Sequence, residues 1–191
     1  MYVSLGDGMT EPKPTADEPD DDALIARWRS GDERAATLLV ERHATPLARF
    51  VAGLGERREV EEVVQDTFVR AFASLDGFRG ESSLRTWLFT IARNLVRDRA
   101  RSRKGQRDVV SIEEWHAATE HDALDLAVAD ETEARMRRAV ATLTPMQREV
   151  FTLRVTEGMS YKEIAAVVSS TEGAARVHYH NAMRAIKEFL E

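Results

Sequence analysis

Residues 61–104 read EEVVQDTFVRAFASLDGFRGESSLRTWLFTIARNLVRDRARSRK. Val60, Val63, Val64, Thr67, Phe68, Ala71, Phe72 and Leu75 recur at steps of three and four. That period predicts one buried face of an amphipathic helix, with Glu61, Glu62, Gln65, Asp66 and Arg70 outside. Phe78-Arg79-Gly80-Glu81-Ser82-Ser83 interrupts the pattern, and a second helix follows with Leu84, Trp87, Leu88, Ile91, Ala92 and Leu95 inward. Arg85, Phe89, Arg93 and Arg97 lie four apart on another face, which stacks them along the axis. Arg99, Arg101, Arg103 and Lys104 prolong the positive end.

Cations interleaved with exposed rings suit single-stranded nucleic acid: guanidinium groups neutralise phosphates, and flat rings accept unstacked bases. The same pattern also describes a solvated basic helix whose rings sit in its own core.

The chain has 191 residues, room for one domain or two small ones. It has no cysteine, which excludes a disulfide framework and a thiolate metal site and fits a reducing cytosol. No apolar run approaches a bilayer span, and the N-terminus lacks a signal-peptide core, so neither membrane insertion nor export is expected. The net charge of −6 conceals segregation. Residues 81–107 carry eight bases and two acids, residues 108–133 nine acids and no Lys or Arg, and residues 134–191 nine bases and six acids. Two basic modules parted by acidic segments suggest two sites on one polyanion.

Residues 1–21, with three prolines and a run of acids, read as a disordered tail. Asp22 is expected to cap a helix burying Leu24, Ile25 and Trp28, with Gly31 ending it and Asp32 starting the next. Thr45-Pro46 predicts a kink or restart in that second helix, and His43 reads as a packed histidine. Residues 22–104 then form a compact helical domain. Residues 105–131 read as a flexible acidic linker, with a short turn around Trp115 capped by Ser111 and Glu114. His116 and His121 lie in it without the support a metal site needs.

Residues 132–191 form a second helical domain. A helix over Thr132–Thr142 turns Met136, Ala139, Val140 and Leu143 inward. Thr144-Pro145-Met146-Gln147 starts the next, which buries Met146, Val150, Phe151 and Val155 and stops at Gly158. Ser160 and Glu163 form a capping box, with Met159 and Ile164 placed as a hydrophobic staple. The short helix Tyr161–Val168, the turn Ser169-Ser170-Thr171 and a longer helix from Glu172 make a helix-turn-helix candidate. The longer helix buries Ala175, Tyr179, Ala182, Met183, Ile186, Phe189 and Leu190. Its other side offers Gly173, Arg176, Val177, His178, His180, Asn181 and Arg184 to base edges and phosphates. A plain helical hairpin is the alternative.

Taken together, these residues resemble bacterial sigma-70 factors. Glu62-Val63-Val64-Gln65-Asp66-Thr67-Phe68 resembles their acidic-x-x-Gln-x-x-Phe helix. Phe78 to Leu88, followed by Ile91-Ala92-Arg93-Asn94 and Asp98, is similar to their promoter-melting segments. Leu143-Thr144-Pro145-Met146-Gln147-Arg148 and Tyr161-Lys162-Glu163-Ile164-Ala165 resemble their C-terminal domain. The match runs in order over residues 22–190, and the size resembles the extracytoplasmic-function group.

The resemblance implies an all-α fold: a sigma2-like bundle and a sigma4-like helix-turn-helix domain on an acidic linker. It implies docking of Glu62, Val63, Gln65, Asp66 and Phe68 on the β′ clamp helices of core RNA polymerase, with the β flap as a further contact. Phe78, Arg79, Ser82, Ser83, Arg85, Trp87, Arg93, Asn94 and Arg97 would lie at the −10 element. There the family's loop holds a base flipped from the non-template strand, so that stacking and edge hydrogen bonds offset the lost base stacking. Trp87 has core spacing as well. Lys162, Thr171, Gly173, Arg176, Val177, His178, His180, Asn181 and Arg184 would serve the −35 element. The linker would thread toward the polymerase active-site channel. Where the group commonly has Gly-Thr-Val and several basic residues, this chain has Gly173-Ala174-Ala175-Arg176-Val177-His178-Tyr179-His180-Asn181, with His178 and Asn181 at two common arginine positions.

The expected partners are core polymerase, promoter DNA and an anti-sigma factor, with no cofactor, no metal and no covalent chemistry, in the bacterial cytoplasm. The rivals are an autonomous helix-turn-helix regulator and a helical hydrolase acting through His116 and His121.

Overall fold

The structure, a computed structural model, describes residues 19–56, 59–107 and 131–191. Its elements among these residues are all helical. In order they are α1 (Asp21–Arg29), α2 (Glu33–Gly53), α3 (Val60–Ser74) with a short 3-10 turn (Leu75–Gly77), α4 (Leu84–Arg107), α5 (Glu131–Ala141), α6 (Pro145–Phe151) running into a π-helical stretch (Thr152–Thr156), α7 (Tyr161–Val168) and α8 (Glu172–Leu190). Of the expected tail over residues 1–21, residues 1–18 lie outside the described residues, whereas Asp20 and Asp21 form the start of α1; the capped turn at Trp115, His116 and His121 also lie outside the described residues.

Asp20 caps α1, not Asp22: its Oδ1 accepts from the Ala23 amide at 2.8 Å. The adjacent Asp21 has another task. It accepts from Arg42 at 2.7 Å and bonds to His43 Nε2 at 2.9 Å, tying α1 to α2. His43 is buried, as its spacing predicted. Gly31 takes φ +93°, which an L side chain rarely adopts, and Asp32 caps α2 through the Arg34 amide.

Pro46 does not restart α2, which is a single helix through it. Leu39, His43, Leu47, Phe50 and Val51 form one stripe that a restart would rotate out of the core, and that packing outweighs the missing amide. The rings pair across the bundle, Trp28 with Phe72 at 5.2 Å and Phe50 with Phe89 at 4.9 Å between centroids.

In the second domain both predicted capping boxes form, Thr144 with Gln147 and Ser160 with Glu163. Met159 and Ile164 are both buried. The π-helical widening shifts the register after α6. It turns Thr152, Leu153 and Glu157 inward and leaves Val155 51% exposed, against expectation. Met136, Met183 and Phe189 are also exposed. Where α5 meets α8 the apolar cluster is small, formed by Ala139, Leu143, Ala182 and Ile186, and it covers one stripe of each helix.

The two domains are packed together. Val150, Leu153, Met159, Ile164, Val167 and Val168 belong to the same apolar cluster as Leu47, Phe50, Leu88 and Phe89. Helix α7 lies along α4, and α2 meets the π-helical stretch.

Candidate nucleic-acid interface

The loop between α3 and α4 is held from below. Arg29 donates through Nη2 to the carbonyls of Leu75 at 2.8 Å and Phe78 at 3.2 Å. The Phe78 ring lies 5.0 Å from that of Trp87, which is half-buried and serves both the loop and the bundle. Gly80, at φ +71°, turns the chain, and Arg79 beside it is exposed. Ser83 ends the loop by accepting from the Thr86 amide at 3.1 Å, while the Ser82 hydroxyl donates to the Ser83 carbonyl at 3.3 Å. Asp22, Ile25, Ala26, Arg29, Phe78, Arg79 and Gly80 border an open groove here.

The α4 face differs from its sequence-based expectation. Asn94 and Arg97 are exposed, but Phe89 and Arg93 are buried, at 0% and 1% exposure. The second domain covers them. Arg93 Nε donates to Glu149 at 2.7 Å, and Arg85 donates to Glu157 at 2.9 Å with its guanidinium 5.5 Å from the Phe89 ring centre. Glu157, whose carboxylate has no solvent exposure, also accepts from Arg49 at 3.3 Å.

The acidic face of α3 is likewise not simply solvated. Arg99 of α4 donates to Glu59 at 2.7 Å, Glu62 at 3.0 Å and Asp66 at 2.7 Å. Burial disfavours the Arg99 charge, but the three carboxylates outweigh it and hold its pKa above the ordinary arginine value. Glu61, Glu62 and Gln65 remain exposed. Val63 and Phe68 are core residues, at 0% and 7% exposure, so they orient this face and are not its surface.

In the helix-turn-helix, Ser169 takes the left-handed conformation at φ 54° and ends α7, and Thr171 caps α8 through the Ala174 amide at 3.2 Å. Lys162, Gly173, Arg176, Val177, His180 and Arg184 are exposed, whereas His178 and Asn181 are partly buried. The guanidinium of Arg176 lies 4.9 Å from the Tyr161 ring centre and 3.8 Å from Glu172, which positions it at the start of α8.

Arg29, Arg49, Glu149 and Glu157 were not singled out by the sequence, and Arg99 was read only as part of the positive end of α4, not as a partner of α3. Their partners lie 33 to 108 residues away, beyond the reach of helical spacing. Among the described residues no cluster of three or more His, Asp or Glu could hold a metal, and no helix is long and apolar enough to cross a membrane.

The family description Sigma-70 region 2 matches residues 39–107, and Sigma-70, region 4 matches residues 133–186. The chain is similar to the ECF RNA polymerase sigma-E factor of Escherichia coli, 31% identical over 175 residues, covering 87% of this chain and 92% of the relative. It is similar to the RNA polymerase sigma-H factor of Pseudomonas aeruginosa, 32% identical over 90% of this chain and 94% of the relative. Among solved structures it resembles the sigma factor RpoE of Bartonella quintana in complex with the anti-sigma factor NepR, at TM-score 0.65 and 28% identity, covering 81% and 95% of the two chains. It also resembles CnrH in complex with the cytosolic domain of CnrY, at TM-score 0.67 and 33% identity, covering 90% and 97%.

Proposed function

Because this chain belongs to the sigma-70 family, as an extracytoplasmic-function sigma factor that directs RNA polymerase to promoters, we propose a division of that work among its faces. The outer polar face of α3, chiefly Glu62, Gln65 and Asp66, docks on the β′ clamp helices of core polymerase. The β flap takes the C-terminal domain. The loop from Phe78 to Ser83, with Arg85, Trp87, Arg93, Asn94 and Arg97 of α4, takes the −10 element and traps melted DNA. Helix α8 enters the −35 major groove with Gly173, Val177, His178, His180, Asn181 and Arg184 at or beside the bases, while Lys162, Thr171 and Arg176 meet phosphate.

The observation that carries this assignment is the loop itself. Arg29 fixes its backbone, Phe78 and Trp87 give it an aromatic wall, Arg79 stands exposed on it, and Arg97 is exposed further along α4. A base displaced from a duplex needs a ring to stack on and a cation for its phosphate. Joining two modest DNA-reading faces on one chain raises the effective concentration of the second once the first is bound. The chemistry of RNA synthesis stays with the polymerase, so the chain is not an enzyme. The Bartonella relative was solved with NepR, and CnrH with part of CnrY. Both support an anti-sigma partner for this chain too.

Run-off transcription with core polymerase on genomic fragments tests the proposal. Defined start sites that require this chain, and that disappear with Arg79→Ala and Arg97→Ala together, are expected. Start sites indifferent to both substitutions would overturn the −10 assignment. An autonomous regulator would bind specific duplex DNA as tightly without core polymerase as with it.

A further inference from the structure

Residues 20–22 are three consecutive aspartates, and the fold uses each differently. Asp20 caps α1, and Asp21 bonds to Arg42 and His43. Asp22 is exposed and engages no other side chain among the described residues. It stands on one stripe of α1 with Ile25, Ala26 and Arg29, at steps of three and four. That stripe and the loop before α4 border an open groove of about 240 Å³. Ile25 and Phe78 give the groove apolar walls, and the Phe78 ring is braced on Trp87 at 5.0 Å. Arg29 and Arg79 bring positive charge to it, which makes a carboxylate tolerable this close to a polyanion.

A carboxylate offers two acceptor oxygens and no donor. It repels phosphate, and what it selects is a group with two adjacent N–H donors. Among the four DNA bases only guanine carries that pair on its pairing edge, N1–H beside the N2 amino group. Thymine sets one N–H between two carbonyl oxygens, and adenine and cytosine each set a ring acceptor beside their amino group. In a duplex the guanine edge is consumed by cytosine, so only a displaced strand offers it. We propose that Asp22 is a base-selecting residue: the groove between α1 and residues 78–80 takes one unpaired guanine of the opened promoter, its ring against Phe78 and its pairing edge on the Asp22 carboxylate. This rests on the assignment of that loop to the −10 element and adds the base that it selects. Arg29 ties the two walls together through its bonds to the Leu75 and Phe78 carbonyls. Arg79 and Arg97 attract any strand, whereas the paired bonds to Asp22 carry sequence information.

Holoenzyme assembled from the full chain and core polymerase is used to select open complexes from a library randomised across the −10 element. One non-template position is expected to prefer guanine over thymine by about tenfold. Asp22→Asn is expected to lose that preference at that position alone and to move it toward adenine, since an amide sets one donor beside one acceptor. Such a preference is a ratio measured within one protein, so a general loss of stability does not move it. Inosine at the same position keeps O6, N7 and N1–H and lacks only the 2-amino group. It is expected to weaken open-complex formation several-fold with the parent chain and to leave it unchanged with Asp22→Asn.

Selection of the same −10 sequences by Asp22→Asn and the parent overturns the inference, and so does inosine that serves the parent as well as guanine. The assignment beneath it fails in a different way. Start sites indifferent to Arg79→Ala with Arg97→Ala remove the loop from the −10 element and the guanine site with it. Start sites lost in that variant, but with a −10 preference independent of Asp22, keep the loop in place and remove only its acidic wall. Free guanosine monophosphate in large excess over the DNA is expected to leave the guanine preference intact. Loss of the preference under that excess would make a free nucleotide the occupant of the groove and overturn its assignment to promoter DNA.

Discussion

The Arg99 guanidinium bonds to the Asp66 carboxylate at 2.7 Å across the seam between α4 and α3, and the same side chain reaches Glu59 and Glu62. One cation thus organises three acids on the face assigned to core polymerase. The acids are 41% to 63% exposed, so each bond is screened by water and is worth a fraction of a kcal/mol. Arg99→Ala is expected to destabilise the chain by about 1 kcal/mol in total. Thermal melts should show a difference at low salt that shrinks toward zero near 1 M NaCl. A salt-independent difference would mean that Arg99 stabilises mainly by packing.

Glu62→Lys with Asp66→Lys reverses the charge of that face. Association with core polymerase is expected to fall by at least about tenfold, as placing like charges opposite each other at an interface costs more than losing one pair. The same change breaks two bonds to Arg99 and sets two lysines beside it. Arg99→Ala is therefore the needed control: it loses those bonds and keeps the acids. Co-purification with core polymerase is the measurement. Equal loss in the control and the double variant would trace the defect to α3 stability and not to docking.

Asp21 gives the fold an acid-sensitive joint. Burial opposes ionisation of its carboxyl, but hydrogen bonds from His43 and Arg42 outweigh that and hold its pKa below the ordinary 3.8. A carboxyl whose folded pKa is depressed contributes stability that is present above the unfolded pKa and is lost as pH falls through the folded one. Urea melts from about pH 5 down to about pH 3 should show the parent chain losing stability more steeply than Asp21→Asn, whose neutral side chain does not titrate. Parallel slopes would remove Asp21 as the source.

Arg29 is predicted to act through the loop and not through DNA. Arg29→Ala removes its bonds to the Leu75 and Phe78 carbonyls and frees the backbone that presents Phe78 and Arg79. Hydrogen bonds from a charged donor are worth about 1.5–3 kcal/mol, so open-complex formation should drop by roughly tenfold or more. Permanganate reactivity of promoter thymines reads that loss, and co-purification with core polymerase should be unchanged. Arg29→Lys should not rescue, because one ammonium on a flexible stem lacks the planar fork that Arg brings to this corner. Normal reactivity in Arg29→Ala would show that the loop holds its shape without this support.

What the sequence made legible follows from the range over which its signals act. Capping boxes at Thr144 and Ser160, the cap at Asp32 and the extent of α7 were correctly placed, because caps and turns are written within four residues. Asp20 displaced Asp22 as the cap of α1 because three consecutive aspartates offer the same local chemistry, and the distant Arg42 and His43 engage Asp21. Arg85 and Arg93 looked like a solvated basic face because their α4 periodicity is that of an outer stripe. Their partners Glu157 and Glu149 are 72 and 56 residues away, in another domain. Val155 was misjudged because the π-helical turn adds a residue to the local repeat, which a fixed 3.6-residue period does not anticipate. The functional class was readable from the order of motifs. The covering of one face of α4 by the second domain was not, since it depends on how the domains pack.

Two neighbours on α8 should separate the two modes of DNA contact. Arg176 is exposed, braced against the Tyr161 ring, and near Glu172, so its charge stands at the end of the helix that meets the backbone. Arg176→Ala is expected to weaken promoter binding by the holoenzyme about equally on all sequences, and to lower the salt dependence of binding by roughly one phosphate contact. Val177 is 58% exposed and carries only methyl groups, which can touch a thymine methyl but cannot bond to a phosphate. Val177→Ser should leave the salt slope unchanged and relax discrimination at one −35 position, by an amount no larger than the roughly 1–3 kcal/mol of a good base contact. Selection from a randomised −35 library with each variant holoenzyme measures both effects. If Arg176→Ala altered the selected sequence and Val177→Ser altered only the salt slope, α8 would lie in the groove in a different register from the one its exposed residues define.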